Sequence, residues 1–411
     1  MAAGHSVNPD RWQDAFDELL GRLAPQYTRA EPRRRARAFV LGLLAEMPRA
    51  NWWTIAEHAG EATPDGMQHL LARAVWDAVL IVDETGDVKK GTATVGVQRQ
   101  YTGTAGRVEN AQVGVYLVYA AGGGHAFLDR ALYLPRSWAE DPARLAAAGV
   151  PDDVGFATKP ALARAMLARA LDAGIPARWV AGDEVYGADP GLRADLHARG
   201  VGYVLAVASN HRVRTAAGPL PVADLVGRLP ALAWQRHSAG AGAKGERFYD
   251  WAWIEVLDAD APGCSGALIR RNTRTGELAY YRAYASDPVP LAVLVRVAGR
   301  RWTVEESFQT GKELAGLDEH QVRSWTSWHR WTVLAMLAHA FLAVVTATER
   351  AATPPDGLIP PTINEIRRLF NGLLTQPART IRHLLHWSRW RRRHQAAARA
   401  SHYRRQAREL Q

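Results

Sequence analysis

Asp83, Asp183 and Glu305 are the residues whose types and settings could do chemistry. Asp83 ends the apolar run Val79-Leu80-Ile81-Val82, and Asp183 follows a second strand-like stretch, Arg178 to Ala181. Both aspartates are therefore expected at strand ends, where a sheet fixes the backbone and the side chain emerges at its edge. Carboxylates delivered in this way suit Mg²⁺ or Mn²⁺. Two such cations, about 3.5–4 Å apart, serve phosphoryl transfer, one activating the attacking oxygen and the other the leaving oxygen. Each aspartate taken singly has a plainer explanation, because aspartate is common in turns after strands. Asp83 could simply open the turn Glu84-Thr85-Gly86-Asp87. Their joint occurrence with a third carboxylate on a later helix shifts the balance toward a site.

That helix is expected to begin near Leu291. Within it Arg301, Glu305 and Lys312 are spaced by four and seven residues, so at about 100° per residue they share one narrow stripe, which Phe308 extends. The bland alternative is an exposed ion pair of Arg301 with Glu305, worth a few tenths of a kcal/mol. Glu306 is rotated away by one residue and is the weaker candidate ligand.

The elements that must position these groups follow from pattern and punctuation. Residues 1–76 read as helical, with Trp12, Phe16, Leu19, Leu20 and Leu23 on one stripe and a basic cluster at Arg33, Arg34, Arg35 and Arg37. A helix-turn-helix DNA-binding unit and a small bundle with a solvated basic edge both fit this segment. From Val79 the pattern changes to strands: the run ending at Asp83, then Thr92 to Tyr101, Ala111 to Tyr119 and Phe127 to Leu134. A helix from Lys159 to Ala173, the strand before Asp183, a helix from Asp189 to Ala198 and the strand Val201 to Val207 alternate as a parallel α/β unit does. Residues 209–290 break that rhythm and read as a β-rich insertion with a turn at Asn272 to Gly276. The predicted division is 1–76, a catalytic core in two parts at 77–208 and 291–350, the insertion at 209–290, and a basic helical region at 351–411 after a proline-marked linker.

Bulk composition narrows the partners. The chain of 411 residues carries 51 Lys and Arg against 41 acidic residues, a formal charge of +10, which favours polyanions. From Arg379 onward there are ten arginines and one acid, Glu409, so this tail carries nearly all of the excess. It interleaves Trp387, Trp390 and Tyr403 with Arg389, Arg391, Arg392 and Arg393, able to grip phosphates and stack on bases; an amphipathic solvated helix and an anionic membrane surface are the alternatives. The single cysteine, Cys264, excludes an internal disulfide and a zinc site built on paired thiolates. No apolar signal segment opens the sequence, and the longest apolar run, Val333 to Val345, is shorter than the roughly 20 residues of a membrane span, so it reads as a buried helix in a cytoplasmic protein. Gly240, Gly242, Lys244 and Gly245 lack the ending of a phosphate loop and read as a hairpin tip. The histidines show no metal-ligand spacing.

Four stretches carry a more specific resemblance: Val82-Asp83-Glu84-Thr85-Gly86 with Lys89-Lys90-Gly91; Val97 to Tyr101; Val180-Ala181-Gly182-Asp183 with Tyr186-Gly187; and Arg301-Trp302-x-x-Glu305-Glu306-x-Phe308. The chain resembles bacterial insertion-sequence transposases of the DDE group whose last catalytic helix bears a Tyr-x2-Arg-x3-Glu-x6-Lys signature. The resemblance implies an α/β, ribonuclease-H-like mixed sheet flanked by helices, with a β-rich insertion before the glutamate helix and helical N- and C-terminal regions. It implies Asp83, Asp183 and Glu305 as ligands of two Mg²⁺ or Mn²⁺ ions, and Arg301 and Lys312 near DNA phosphates. Lys89 and Lys90, after Asp83, are candidates for further backbone contacts. Double-stranded DNA, as element ends and target, is the implied partner, with a homodimer on DNA, no membrane, and a nucleoid-associated location in the bacterial cytoplasm. The sequence departs from the pattern at Ala298, where the signature has tyrosine, and in the direct passage from Trp76-Asp77-Ala78 into Val79. A DNA-binding regulator without catalysis and a ribonuclease-H-like nuclease without strand transfer remain alternatives.

Overall fold

The apolar run before Asp83 forms a strand buried on both faces. In the computed structural model, described for residues 9–23, 41, 44, 78–242, 245–257, 263–350, 360–374, 400, 401 and 404, Val79 to Val82 are almost wholly inaccessible. Alternate side chains serve two separate cores. This is the signature of a central strand with helices on either side.

The elements, in chain order, are α1 (Pro9–Leu23), β1 (Val79–Val88), β2 (Gln98–Thr102), β3 (Arg107–Ala121) and β4 (Gly124–Leu132). Then come α2 (Arg136–Ala139), α3 (Pro142–Ala148), α4 (Lys159–Asp172), β5 (Trp179–Gly182), α5 (Glu184–Gly187), α6 (Pro190–Ala198) and β6 (Gly202–Val207). After the small hairpin β7 (Arg212–Thr215) and β8 (Gly218–Pro221) follow β9 (Gln235–Gly242), β10 (Gly245–Glu255), β11 (Cys264–Arg271) and β12 (Leu278–Ala285). The chain continues through α7 (Leu291–Arg300), α8 (Trp302–Ala315), α9 (Trp325–Arg350) and α10 (Ile363–Leu374).

One ten-stranded sheet runs in the order β2-β3-β1-β5-β6-β12-β11-β10-β9, with β4 paired beside β3. β1 is antiparallel to β3 and parallel to β5, and β5 is parallel to β6. An antiparallel set continued by parallel strands, with helices on both faces, is the ribonuclease-H-like arrangement expected from the sequence. Leu80, Val82, Val180 and Leu205 face α4 and α6, while Val79, Ile81 and Ala181 face α7, α8 and α9.

Several local expectations are corrected. The Glu84-Thr85-Gly86-Asp87 segment is not a turn: β1 continues through it to Val88, paired in register with Val115 to Ala111 of β3. Thr102 explains the glycine, since a Cβ at Gly86 would fall 2.2 Å from its hydroxyl. Asp83 therefore lies within the strand, at the point where pairing with β5 stops. Most of the expected strand at 92–101 is irregular, and only Gln98–Thr102 pairs; Val95 and Val97 fill a satellite core with Trp138 and Trp328. The helix expected from Leu291 through Glu305 is broken at Arg301, where Arg301 N–H bonds to Ala298 O and the Thr303 hydroxyl takes up Arg300 O.

The β-rich stretch expected as an insertion extends the core sheet, because β12 pairs antiparallel with β6 along Val207 to Tyr203 and carries β11, β10 and β9 outward. The Asn272–Gly276 turn joins β11 to β12, with Asn272 Oδ1 accepting from Arg274 N–H and Gly276 at φ +73°. The glycine-rich stretch is the tip of the β9–β10 hairpin. At the other end of the chain, α1 seats Trp12 and Phe16 in the main core. Trp12 Nε1–H donates to buried Glu349 Oε1 at 2.9 Å, and Phe16 stands edge-on to Phe341 and Phe370. The remainder of the N-terminal region and of the basic C-terminal segment, Arg389, Arg391, Arg392 and Arg393 included, lies outside the described residues. α9 is long and apolar enough to cross a membrane by length and composition, yet most of it is buried in the protein, as the sequence reading expects. Its His339 is fully buried, hydrogen-bonded to Thr310 and pushed down to about 3 by burial, so it sits in the core uncharged.

Candidate active site

Register alone brings the two aspartates together. Val82 of β1 stands beside Gly182 of β5 in the last parallel pair, so Asp83 and Asp183 are the next residues on adjacent chains, on the face covered by α8. Asp183 then caps the short helix α5, its carboxylate accepting from Val185 N–H at 2.9 Å. Gly187, at the far end of that helix, lies so close to β6 that a Cβ would fall 1.8 Å from Ala206 O. This contact fixes α5, and with it the cap.

The odd-numbered side chains of β1 meet α8 in sequence. Asp83 Oδ2 lies 3.4 Å from Arg301 Nη2, and the same nitrogen is 3.9 Å from Glu305 Oε1. One guanidinium thus bridges two of the three expected ligands. Further along, Lys312 Nζ donates to Thr85 Oγ1 at 2.8 Å and lies 3.8 Å from Asp87. Glu306 points away from this line, toward His125.

Burial sets the electrostatics. Asp83 is 7% exposed and its carboxyl is raised to about 8, first by desolvation and then by the neighbouring Asp183 charge, against the opposing pull of Arg301. Asp183 is raised as well, by desolvation and by Glu84. Two crowded carboxylates with one guanidinium nearby form a site short of positive charge. Glu305, by contrast, is half exposed. Among the described residues no three potential ligands already stand close enough together to hold an ion.

The sequence reading did not single out Glu84 or Lys159. Glu84 leaves β1 on the opposite face, where Oε1 accepts from Lys159 Nζ and Oε2 from the buried Tyr186 hydroxyl, each at 2.6 Å. It adds a fourth carboxylate beside Asp183. The motif Asp183-x-x-Tyr186 was a usable signal for the tyrosine; nothing in the spacing links Lys159 to Glu84. The expected phosphate-contacting lysines divide. Lys90 is exposed, whereas Lys89 donates to the carbonyls of Asp318 and His320 and Lys312 is held by Thr85, Thr104 and Asp87.

Residues 77–240 match the family described as DDE superfamily endonuclease. That segment is similar to a DDE endonuclease domain. It contains Asp83 and Asp183, and Glu305 lies beyond it. The chain is also 29% identical over 195 residues to a protein of Microchaete diplosiphon described as the probable transposase for insertion sequence element IS701. This alignment takes in 42% of the chain and about half, 48%, of that relative. Both findings bear out the resemblance to insertion-sequence DDE transposases. The cryo-EM structure of the piggyBac transposase synaptic complex with hairpin DNA aligns at a TM-score of 0.40 and 10% identity, over 75% of this chain and 56% of that one.

Proposed function

We propose that the chain is a DDE transposase that cuts DNA at the ends of an insertion sequence and joins them to target DNA, using divalent cations at Asp83, Asp183 and Glu305. The observation that carries this reading is the adjacency of Asp83 and Asp183, set by strand register and left short of positive charge. The relatives' descriptions support the choice of DNA transposition among phosphoryl transfers.

Hard oxygen donors on a rigid sheet fit a Mg²⁺- or Mn²⁺-class ion. Asp83 and Asp183 would hold it, and Glu305 becomes available when Arg301 lets go of it. Bound cations supply an activated attacking oxygen and a stabilised leaving oxygen. The chain's own residues supply position: β1 and β5 fix the aspartates, and Lys159 and Tyr186 hold Glu84 in place beside Asp183. Arg301, released from the carboxylates, is then placed to meet a phosphate beside the site. A homodimer on DNA and a nucleoid-associated location in the bacterial cytoplasm accompany this reading.

The test is cleavage and joining of labelled element-end DNA with Mn²⁺. Asp83→Asn and Asp183→Asn should each lower nicking by at least about a thousandfold while DNA affinity without metal stays within a few fold. Undiminished nicking by both variants would refute the assignment. Nicks without joined products would indicate a nuclease, and DNA binding without nicks a regulator.

A further inference from the structure

On the flank of α8 away from Asp83 lies an open groove of about 780 Å³. Arg247, Arg296, Arg300 and Arg350 converge on it, against one carboxylate, Glu306. Its walls are the backbone of the β3–β4 hairpin at Gly122 to Gly124, the β9–β10 hairpin, and the junction of α7 with α8, where Trp302 stands half exposed. A Cβ at Gly122 would meet nothing, so a ligand could approach the hairpin backbone closely.

The arginines have different duties. Arg247 is structural: it donates to the carbonyls of Ala239, Gly240 and Gly299 and so ties the β9–β10 hairpin to the helix junction. Gly299 makes that junction possible, since a Cβ there would fall 2.0 Å from Ala239 O. Arg296 and Arg350 are exposed, Arg300 is half buried, and among the described residues none of the three has a salt-bridge partner. Arg300 and Arg350 act on the groove's floor: together with burial they push His125 down to about 4, so it stays neutral and leaves Glu306 uncompensated by it. With four arginines against Glu306, the groove still keeps a net positive charge at neutral pH. Charge of one sign, a planar fork donor at each position and an open glycine wall match a run of phosphates better than a compact anion.

Position specifies which phosphates. Tyr116 of β3 is paired with Asp83, and the hairpin wall begins five residues further along the same strand, at Ala121. At roughly 3.4 Å per residue this is about 17 Å, and at about 3.4 Å per base pair it corresponds to about five base pairs of duplex. We propose that this groove holds a DNA backbone about five base pairs from the scissile phosphate, with Arg296, Arg300 and Arg350 each contacting a phosphate. The inference rests on the DNA-processing reading above and adds a second contact site to it.

The experiment is fluorescence anisotropy of the full chain with a labelled duplex in EDTA, from 50 to 200 mM salt. Each lost phosphate contact lowers the slope of log K against log salt by about 0.9, so Arg296→Gln/Arg300→Gln/Arg350→Gln should lower it by about 2 to 3. The corresponding triple lysine variant should recover most of it, because lysine keeps the charge. The single Arg296→Gln, at an exposed position, should lower the slope by about 1 with an unchanged melting temperature. DNA binding with the same slope in wild type and Arg296→Gln, and in the triple variant if it folds, overturns the groove assignment alone. No DNA binding by the wild-type chain overturns the functional reading and the groove with it.

Discussion

Asp83 carries its charge at a cost when no cation is bound. Its folded carboxyl titrates at about 8 against an ordinary 3.8, so between those values the folded chain holds a proton that the unfolded chain has released. Stability from this group is fully present below about pH 4 and is lost as pH rises toward 8. The metal-free protein should thus gain most from Asp83→Asn at pH 8, clearly less at pH 5 and nothing below about pH 4. Thermal melts at the two pH values check this, with about 1 °C expected per kcal/mol recovered in a chain of this size. An equal shift at both would show that the carboxyl is not raised. At this scale the adjacency of Asp83 and Asp183 was legible, because each follows a buried apolar run and the two runs pair in register; Glu305 is linked to Asp83 through Arg301. Glu84 was not, since its partners Lys159 and Tyr186 come from distant elements.

The packing of α8 along β1 is an arrangement of elements. Asp83, Thr85 and Asp87 leave the strand on one side, and Arg301 and Lys312 receive them at either end of the helix face. Asp87 is buried and its carboxyl raised by desolvation, with Lys89 and Lys312 as its cations. Lys312 is accordingly a fastening, and Lys312→Met should cost on the order of 3 kcal/mol in urea denaturation. The salt dependence of DNA binding should be unchanged by this substitution; a slope lower by about 1 would make Lys312 a phosphate contact instead. The sequence signal for this geometry was half readable. Spacing placed Arg301, Glu305 and Lys312 on one stripe, but Thr85-Gly86-Asp87 imitates a turn, and only β3 and Thr102 hold it extended. The break at Arg301 was hidden as well, because no proline or helix-ending glycine marks it.

For the whole molecule, the central strands and the helices between them were readable from periodicity and from stop residues such as Gly174 and Gly200. The joining of β12 to β6 was not, since strand partners far apart in sequence leave no local trace. Nor was the place of α1, whose stripe was equally compatible with a separate bundle. Phe16 sits at zero exposure between Phe341 and Phe370, so this helix is a structural part of the core that supports α9. Phe16→Ala should cost about 3–5 kcal/mol, read from the denaturation midpoint. A loss below about 1 kcal/mol would mean that α1 does not dock there in solution.

Because β9 to β12 are woven into the same hydrogen-bonded fabric as β5 and β6, they cannot swing like a hinged flap without tearing the weave. Among the described residues, access to the carboxylates is then gated by side chains such as Arg301 and not by a swing of β9 to β12. Amide exchange would register this directly: protons of β11 and β12 should be released with those of β6 in one cooperative opening, and an independently melting outer half would contradict it.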